Sequence, residues 1–244
     1  MIDIHCHILH GLDDGSDNIE ESVMMAQMAH SSGTRMIVAT PHCNVPRSFK
    51  NQWSADIAKK IVDLNERLAS EGTDIKILPG NEIFACGDFL QQLKDGKLIT
   101  LNNSVYPLVE FDFYEHPKTV FQKLEQLVAE GYVPIVAHPE RYELVQYEED
   151  AAKYIKKIGC LIQLNKGSVM GKFGRSAQHA AHAILDAHLA DIVASDAHSP
   201  YVRTPRLENA HEMIGEIYSY DYAQLLLCDN PLKVIQNRKI QGEK

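Results

Sequence analysis

The chain repeats one phrase that restricts its architecture more than any other feature: a helical stretch stops near a glycine, and a short apolar run follows. The phrase recurs in SSGTRMIVAT, SEGTDIKILPG, AEGYVPIVAHP and KIGCLIQLN. Glycine just past a helix supplies a left-handed stop, and uninterrupted apolar runs suit strands covered on both faces. Adding MIDIH, YPLVEF and ADIVASD makes seven candidate strands. Helical periodicity fills the gaps, as in the stripe Val120, Leu124, Leu127 and Val128. Asp17 and Glu20 suit an N-cap and its third helical position ahead of Val23. This alternation predicts an α/β fold with a parallel sheet and right-handed crossovers, and seven units predict closure into a barrel. No internal linker or low-complexity tract divides residues 1–244, so one domain is expected.

Barrel enzymes place their chemistry at the C-terminal ends of the strands. The first run ends in His5 and His7, with Asp14 in the loop beyond. Two residues of strand rise span roughly 6.6 Å, so these histidines face the same way. The next runs end in His42 (ATPHCN), Glu82 (PGNEI), Glu110 (LVEF) and His138 (VAHPER). The sixth ends in Asn165 and Lys166, and the seventh supplies Asp196 and His198 (ASDAHS). An isolated His-x-His is more often an ordinary strand pair. Recurrence at the same register on six of seven strands is not.

These five histidines and four carboxylates form a nitrogen-and-oxygen donor set suited to Mn, Fe or Zn, and nine ligands exceed what one ion uses. Two to three divalent ions are expected. Three would carry six positive charges against four carboxylates, and a surplus of that kind attracts an anion. Arg141 and Arg203, in loops at the same mouth, are placed to clamp phosphate oxygens.

Composition removes several alternatives. A net charge of −9 with dispersed Lys and Arg leaves no basic stripe for nucleic acid. No apolar run reaches the ~18–20 residues of a membrane span, and the start lacks a signal-peptide pattern, so a cytoplasmic protein is expected. Five scattered cysteines fit reduced thiols. Cysteine-dependent tyrosine phosphatases need Arg six residues after the nucleophile. Here those positions are Leu12, Phe49, Gln92, Lys166 and Val234, which excludes a thiol mechanism.

MIDIHCHILHGLDDG, ATPH, GNEI, LVEF, AHPERY, NKGSVMGKFG and ASDAH, in this order from Met1 to about Ile235, resemble the PHP (polymerase and histidinol phosphatase) superfamily. More narrowly, they resemble its bacterial CpsB/YwqE-type tyrosine-protein phosphatases. The resemblance implies a distorted seven-stranded β/α barrel with a trinuclear site, commonly manganese. It implies that His5, His7, Glu82 and Asp196 hold one ion, and that Glu82 (bridging), Glu110 and His138 hold a second. Asp14, His42 and His198 would hold the third, with Arg141 and Arg203 binding phosphate. The implied substrate is the tyrosine-rich tail of a bacterial kinase that regulates capsular or exopolysaccharide synthesis. Cys43 departs from relatives that often carry His or another polar residue after the second-strand histidine.

The expected chemistry is hydrolysis of a phosphomonoester by hydroxide that the metals activate near neutral pH. Asp14 or His42 would protonate the leaving oxygen, directly or through water. The other seven histidines read as loop or surface residues, including His10 near the site and His179 and His182 on an exposed helix face. Lys166 and Ser168 could contact phosphate, although a loop lysine is usually solvated. Phe49, Trp53 and Tyr201 could line a groove for a phosphotyrosine ring or simply pack. A small-phosphoester phosphatase such as a histidinol-phosphate phosphatase would use the same metals in a tighter pocket. An amidohydrolase would want an eighth strand, and a non-catalytic metal-binding regulator would have lost ligands.

Overall fold

The computed structural model describes residues 1–148 and 150–240. Its strands are β1 (Ile2–Cys6), β2 (Met36–Ala39), β3 (His42–Cys43), β4 (Lys76–Pro79), β5 (Glu82–Phe84), β6 (Leu108–Glu110), β7 (Ile135–Ala137), β8 (Leu161–Asn165) and β9 (Ile192–Ala194). Every pairing is parallel. All seven apolar runs hold strand, but two are interrupted. Pro41 lacks the N–H a ladder needs and separates β2 from β3; Gly80 and Asn81 separate β4 from β5.

At each interruption the chain changes sheet. β1, β2 and β4 form one sheet in the order β1-β2-β4, and the remaining strands form a second in the order β3-β5-β6-β7-β8-β9. The continuous seven-stranded barrel expected from the sequence is corrected accordingly: among the described residues the ladders make two sheets and no closed ring. The sheets approach at a seam between β1 and the end of β9, where a single bridge joins Cys6 and Ala197. There the Asp196 N–H donates to the His5 carbonyl at 2.8 Å, and the His7 N–H donates to the Ala197 carbonyl at 2.8 Å.

One apolar cluster takes side chains from all seven runs, among them Ile4, Val38, Leu78, Leu108, Ile135, Leu161 and Ile192. The runs therefore share an interior, and burial of such side chains dominates the stability of a sheet like this. Helices cover the outside. In the helix Pro117–Ala129, Val120, Leu124 and Leu127 of the predicted stripe are buried and Val128 is half-buried. Gly131 (φ 87°) and Gly159 (φ 103°) provide left-handed stops. The cap of the helix Ile19–Ser31 lies one residue later than expected. Asn18 Oδ1 accepts the Glu21 N–H at 3.0 Å, and the Glu21 carboxylate reaches back to the Asp17 N–H at 3.2 Å. The Asn18 side chain, one position on, is the one aimed at the first-turn N–H groups.

Candidate metal centre

The strand ends bring all nine predicted donors together. His5 and His7 point the same way from β1, with their Nε2 atoms 3.3 Å apart. The β1–β2 register shifts between Asp3 and Cys6, an irregularity of the kind that re-aims side chains beside active sites. Glu82, fully buried at the start of β5, is the hub. Its Oε1 lies 3.2 Å from His5 Nε2 and 2.9 Å from His138 Nε2, while its Oε2 lies 3.3 Å from His7 Nε2 and 2.8 Å from His42 Nδ1. Glu110 Oε1 is 3.6 Å from His138, and its Oε2 is 3.7 Å from His42. Asp196 Oδ1 stands 3.5 Å from both His5 and His7. On the solvent side, Asp14 Oδ1 is 3.5 Å from His42 Nε2 and 3.4 Å from His198 Nε2.

Among the described residues, four overlapping groups of donor atoms are compact enough to hold an ion: His7, Asp14, His42, His198; His5, His7, Asp196; His5, Glu82, His138; and His42, Glu82, Glu110. The groups share His5, His7, His42 and Glu82, so the partition differs in detail from that implied by resemblance.

Two tautomers test whether the site fits cations. Asp13 Oδ2, which can only accept, lies 2.7 Å from His7 Nδ1, so the ring proton sits on Nδ1. Gln163 Oε1 accepts from His5 Nδ1 at 2.8 Å. Both Nε2 atoms then face each other and the carboxylates, where each can take either a proton or a cation. Among the described residues, His42 Nδ1 and Glu82 Oε2 are buried and, although 2.8 Å apart, are not aligned as a hydrogen bond to each other or to any other group. Burial makes such groups costly unless a cation takes their lone pairs. The donor set fits divalent ions.

The electrostatics carry the same message. Burial pulls the His5 pKa down, but the charges of Glu82 and Asp196 outweigh it and hold the imidazole up at about 9. Burial pushes the Glu110 carboxyl up, and the Glu82 charge adds to this, to about 8. Asp14 is held well below the usual carboxylate range, first by the hydrogen bond from His198. Three site residues adopt the left-handed backbone that non-glycine residues avoid: His138 (φ 34°), Asp196 (φ 49°) and Arg203 (φ 53°). Such strain gathers where side-chain aim matters.

Arg141 and Arg203 converge on one atom. Arg141 Nη1 is 3.8 Å and Arg203 Nη2 2.5 Å from Asp196 Oδ2. The Phe173 ring lies against both guanidiniums, 4.7 Å from Arg141 and 5.5 Å from Arg203, and Phe113 faces Arg141 at 4.5 Å. A family model described as capsular polysaccharide synthesis, CpsB/CapC, matches residues 1–236.

The chain belongs to the CpsB/CapC family.

Within this family, the chain is 33% identical to the tyrosine-protein phosphatase YwqE of Bacillus subtilis (strain 168) over 240 residues, covering 98% of this chain and 93% of that protein. It is 30% identical to the tyrosine-protein phosphatase CpsB of Streptococcus pneumoniae over 245 residues, covering 98% and 100%. A crystal structure reported for YwqE and CpsB as unique metal-dependent tyrosine phosphatases matches with a TM-score of 0.91 at 33% identity, over 98% of this chain and 96% of that one. A histidinol phosphate phosphatase from Lactococcus lactis shares the fold at 12% identity and a TM-score of 0.58 over 93% and 94% of the two chains. CpsB/CapC membership thus rests on near full-length matches.

Some of the surroundings escaped the sequence reading. Asp13 and Gln163 orient His7 and His5; the doubled aspartate in LDDG was a signal for Asp13, and Gln163 had none. Glu140, fully buried with its carboxyl pushed up to about 7 by burial, accepts the Asn165 N–H at 3.0 Å and ties the turn bearing Arg141 to β8. Lys166 is not solvated: it is buried, and its ammonium donates to the carbonyls of Thr204 and Arg206. His182 is half-buried and bonds Tyr218 and the Val169 carbonyl, rather than sharing an exposed face with His179. Phe49 stacks on His42 at 5.8 Å, Trp53 packs on the core, and Tyr201 is exposed. Cys6 and Cys43 are fully buried and their thiols are pushed well up by burial, the wrong direction for nucleophiles.

Proposed function

We propose that this chain is a metal-dependent protein-tyrosine phosphatase acting on a phosphotyrosine protein, and that its physiological substrate is the tyrosine-rich tail of a bacterial kinase controlling capsular or exopolysaccharide synthesis. The observation that carries the reading is the convergence of Arg141 and Arg203 on Asp196 Oδ2 at the edge of a nine-donor cluster. Two guanidiniums already gripping one anionic oxygen beside a metal-suited site make a seat for a phosphoryl group. The names of the relatives and the capsular description of the family support the substrate class and the setting.

In this reading His5, His7, Asp14, His42, Glu82, Glu110, His138, Asp196 and His198 hold two to three divalent ions, with manganese the assigned metal. When bound, such ions neutralise phosphate charge and make water a nucleophile near neutral pH. Arg141 and Arg203 orient the phosphoryl oxygens and stabilise their charge. Phe113 and Phe173 shield the guanidiniums from water, which strengthens their hold. Asp14 and His42, at the solvent side, serve the leaving oxygen; a phenolate, whose conjugate acid has a pKa of about 10, asks little of them. No helix among the described residues is long and apolar enough to cross a membrane, which is compatible with a cytoplasmic catalytic unit spanning 1–244.

The test is hydrolysis by metal-reconstituted protein of phosphotyrosine peptide, phosphoserine peptide and histidinol phosphate. Preference for phosphotyrosine, lost on chelation and restored by Mn, is the expected result. Preference for histidinol phosphate would move the chain to small phosphoesters, and chelator-resistant turnover would defeat the metal assignment.

A further inference from the structure

A cavity of about 450 Å³ opens beside Arg203, between the turn that follows β8 and the loop that follows β9. Among the described residues four cations line it, Lys166, Lys172, Arg203 and Arg206, and no aspartate or glutamate does. In a chain of net charge −9 this is a local reversal of sign. The four differ in role. Lys166 spends its donors on the carbonyls of Thr204 and Arg206, so it builds the wall and leaves its charge there. Arg203 belongs to the phosphate seat. Lys172 and Arg206 are exposed. Arg206 meets Glu208 at 3.2 Å, but both side chains are solvent-accessible, and such pairs yield readily to a competing anion.

The cavity and the phosphate seat share one partition. Phe173 lines the cavity while its ring lies against both phosphate-seat arginines. An anion in the cavity therefore sits within one aromatic ring of the reacting phosphate. Val202, 73% exposed on the rim, offers an apolar contact to whatever spans the two places.

We infer that this cavity is a second anion subsite, which takes an anionic side chain of the substrate polypeptide close to the phosphotyrosine under attack. The inference rests on the phosphatase reading above. Carboxylate and phosphomonoester share the chemistry recognised, so either an acidic residue or a second phosphotyrosine would fit. Exposed pairs contribute modestly, and two of them correspond to about 3- to 20-fold in kcat/KM.

The experiment compares three phosphotyrosine peptides of one sequence on the metal-loaded enzyme, with glutamine, glutamate or a second phosphotyrosine at the flanking positions. The readout is the ratio of kcat/KM for each anionic peptide to the neutral one, so a general loss of activity in a variant cancels. At low salt at least one ratio should be about 3 to 20, and it should collapse toward one at about 1 M salt, where the Debye length is about 3 Å. Which ratio rises distinguishes carboxylate from phosphate. The paired change Lys172→Ala and Arg206→Ala should bring the ratio to within about twofold of one, and Lys172→Glu alone should push it below the wild-type ratio. Equal turnover of all three peptides would overturn the subsite and leave the phosphatase reading standing, as would a ratio that survives the paired change. Hydrolysis of none of them would overturn both.

Discussion

His7 Nδ1 lies 2.7 Å from Asp13 Oδ2, and the same carboxylate oxygen accepts the backbone N–H of His42 at 2.8 Å. One side chain outside the donor set thus fixes the tautomer of one proposed ligand and the backbone position of another. Removing such a partner typically costs 10- to 100-fold in metal affinity. Asp13→Asn should therefore weaken metal binding by about that factor while the fold persists, as measured by competition with a chromogenic chelator. Unchanged affinity would mean that His7 orients itself without help.

Protons and metal should compete for the cluster. In metal-free protein His5 titrates near 9 rather than 6.5, and Glu110 near 8 rather than 4.5. Both keep protons in the folded state after the unfolded chain has released them, so stability falls as pH rises. For His5 the contribution is full below pH 6.5 and lost through about 9; for Glu110 it is full below 4.5 and lost through about 8. Metal binding needs those protons gone, so affinity should rise over the same interval. Thermal melts of chelated protein from pH 6 to 9, with and without added Mn, should diverge steadily. Parallel curves would contradict the proposed ligand roles.

Arg203→Ala should retain its metal and lose about 30- to 1000-fold in kcat/KM, equally for phosphotyrosine peptide and a small aryl phosphate. A defect confined to the peptide would show that Arg203 reads the polypeptide instead. Lys166, which anchors the carbonyls on either side of Pro205, acts through that loop. Lys166→Met should cost about 10-fold alone and less than about 3-fold when Arg203 is already alanine. Multiplicative losses would indicate an independent role.

Gly15 closes the loop that carries Asp13 and Asp14. A Cβ added there would stand 2.2 Å from the His7 carbonyl oxygen and 2.9 Å from Asp13 Oδ1, so backbone has to move. Overpacking of this kind costs about 1–3 kcal/mol, or roughly 2–12 °C in Tm for a chain of this size. Gly15→Ala should show that drop in a thermal melt, together with weaker metal binding. A wild-type melt would mean that the loop relaxes freely.

The sequence alone determined the strand runs, their order and the ring of donors at their ends, because these follow from local rules. A period of two or 3.6 residues, a glycine past a helix and the side-chain types beside each run are all properties of neighbouring residues. Histidines such as His138 and carboxylates such as Glu82 were legible for the same reason: each sits at the end of its own apolar run. The N-cap at Asn18 rather than Asp17 marks the limit of that logic, since both residue types cap equally well. What distant segments do to one another was decided only by the tertiary structure. The breaks at Pro41 and Gly80 could be read as punctuation, but not as a transfer between two sheets. Asp13, Gln163 and Glu140 resembled any buried or loop polar residue until their oxygens were seen within hydrogen-bond reach of His7, His5 and the Asn165 amide. Phe173 could not be read as a wall shared by Arg141 and Arg203, which stand 62 residues apart in the chain. Hydrogen bonds and ion pairs depend on distances of a few tenths of an ångström, and only the folded chain sets those distances.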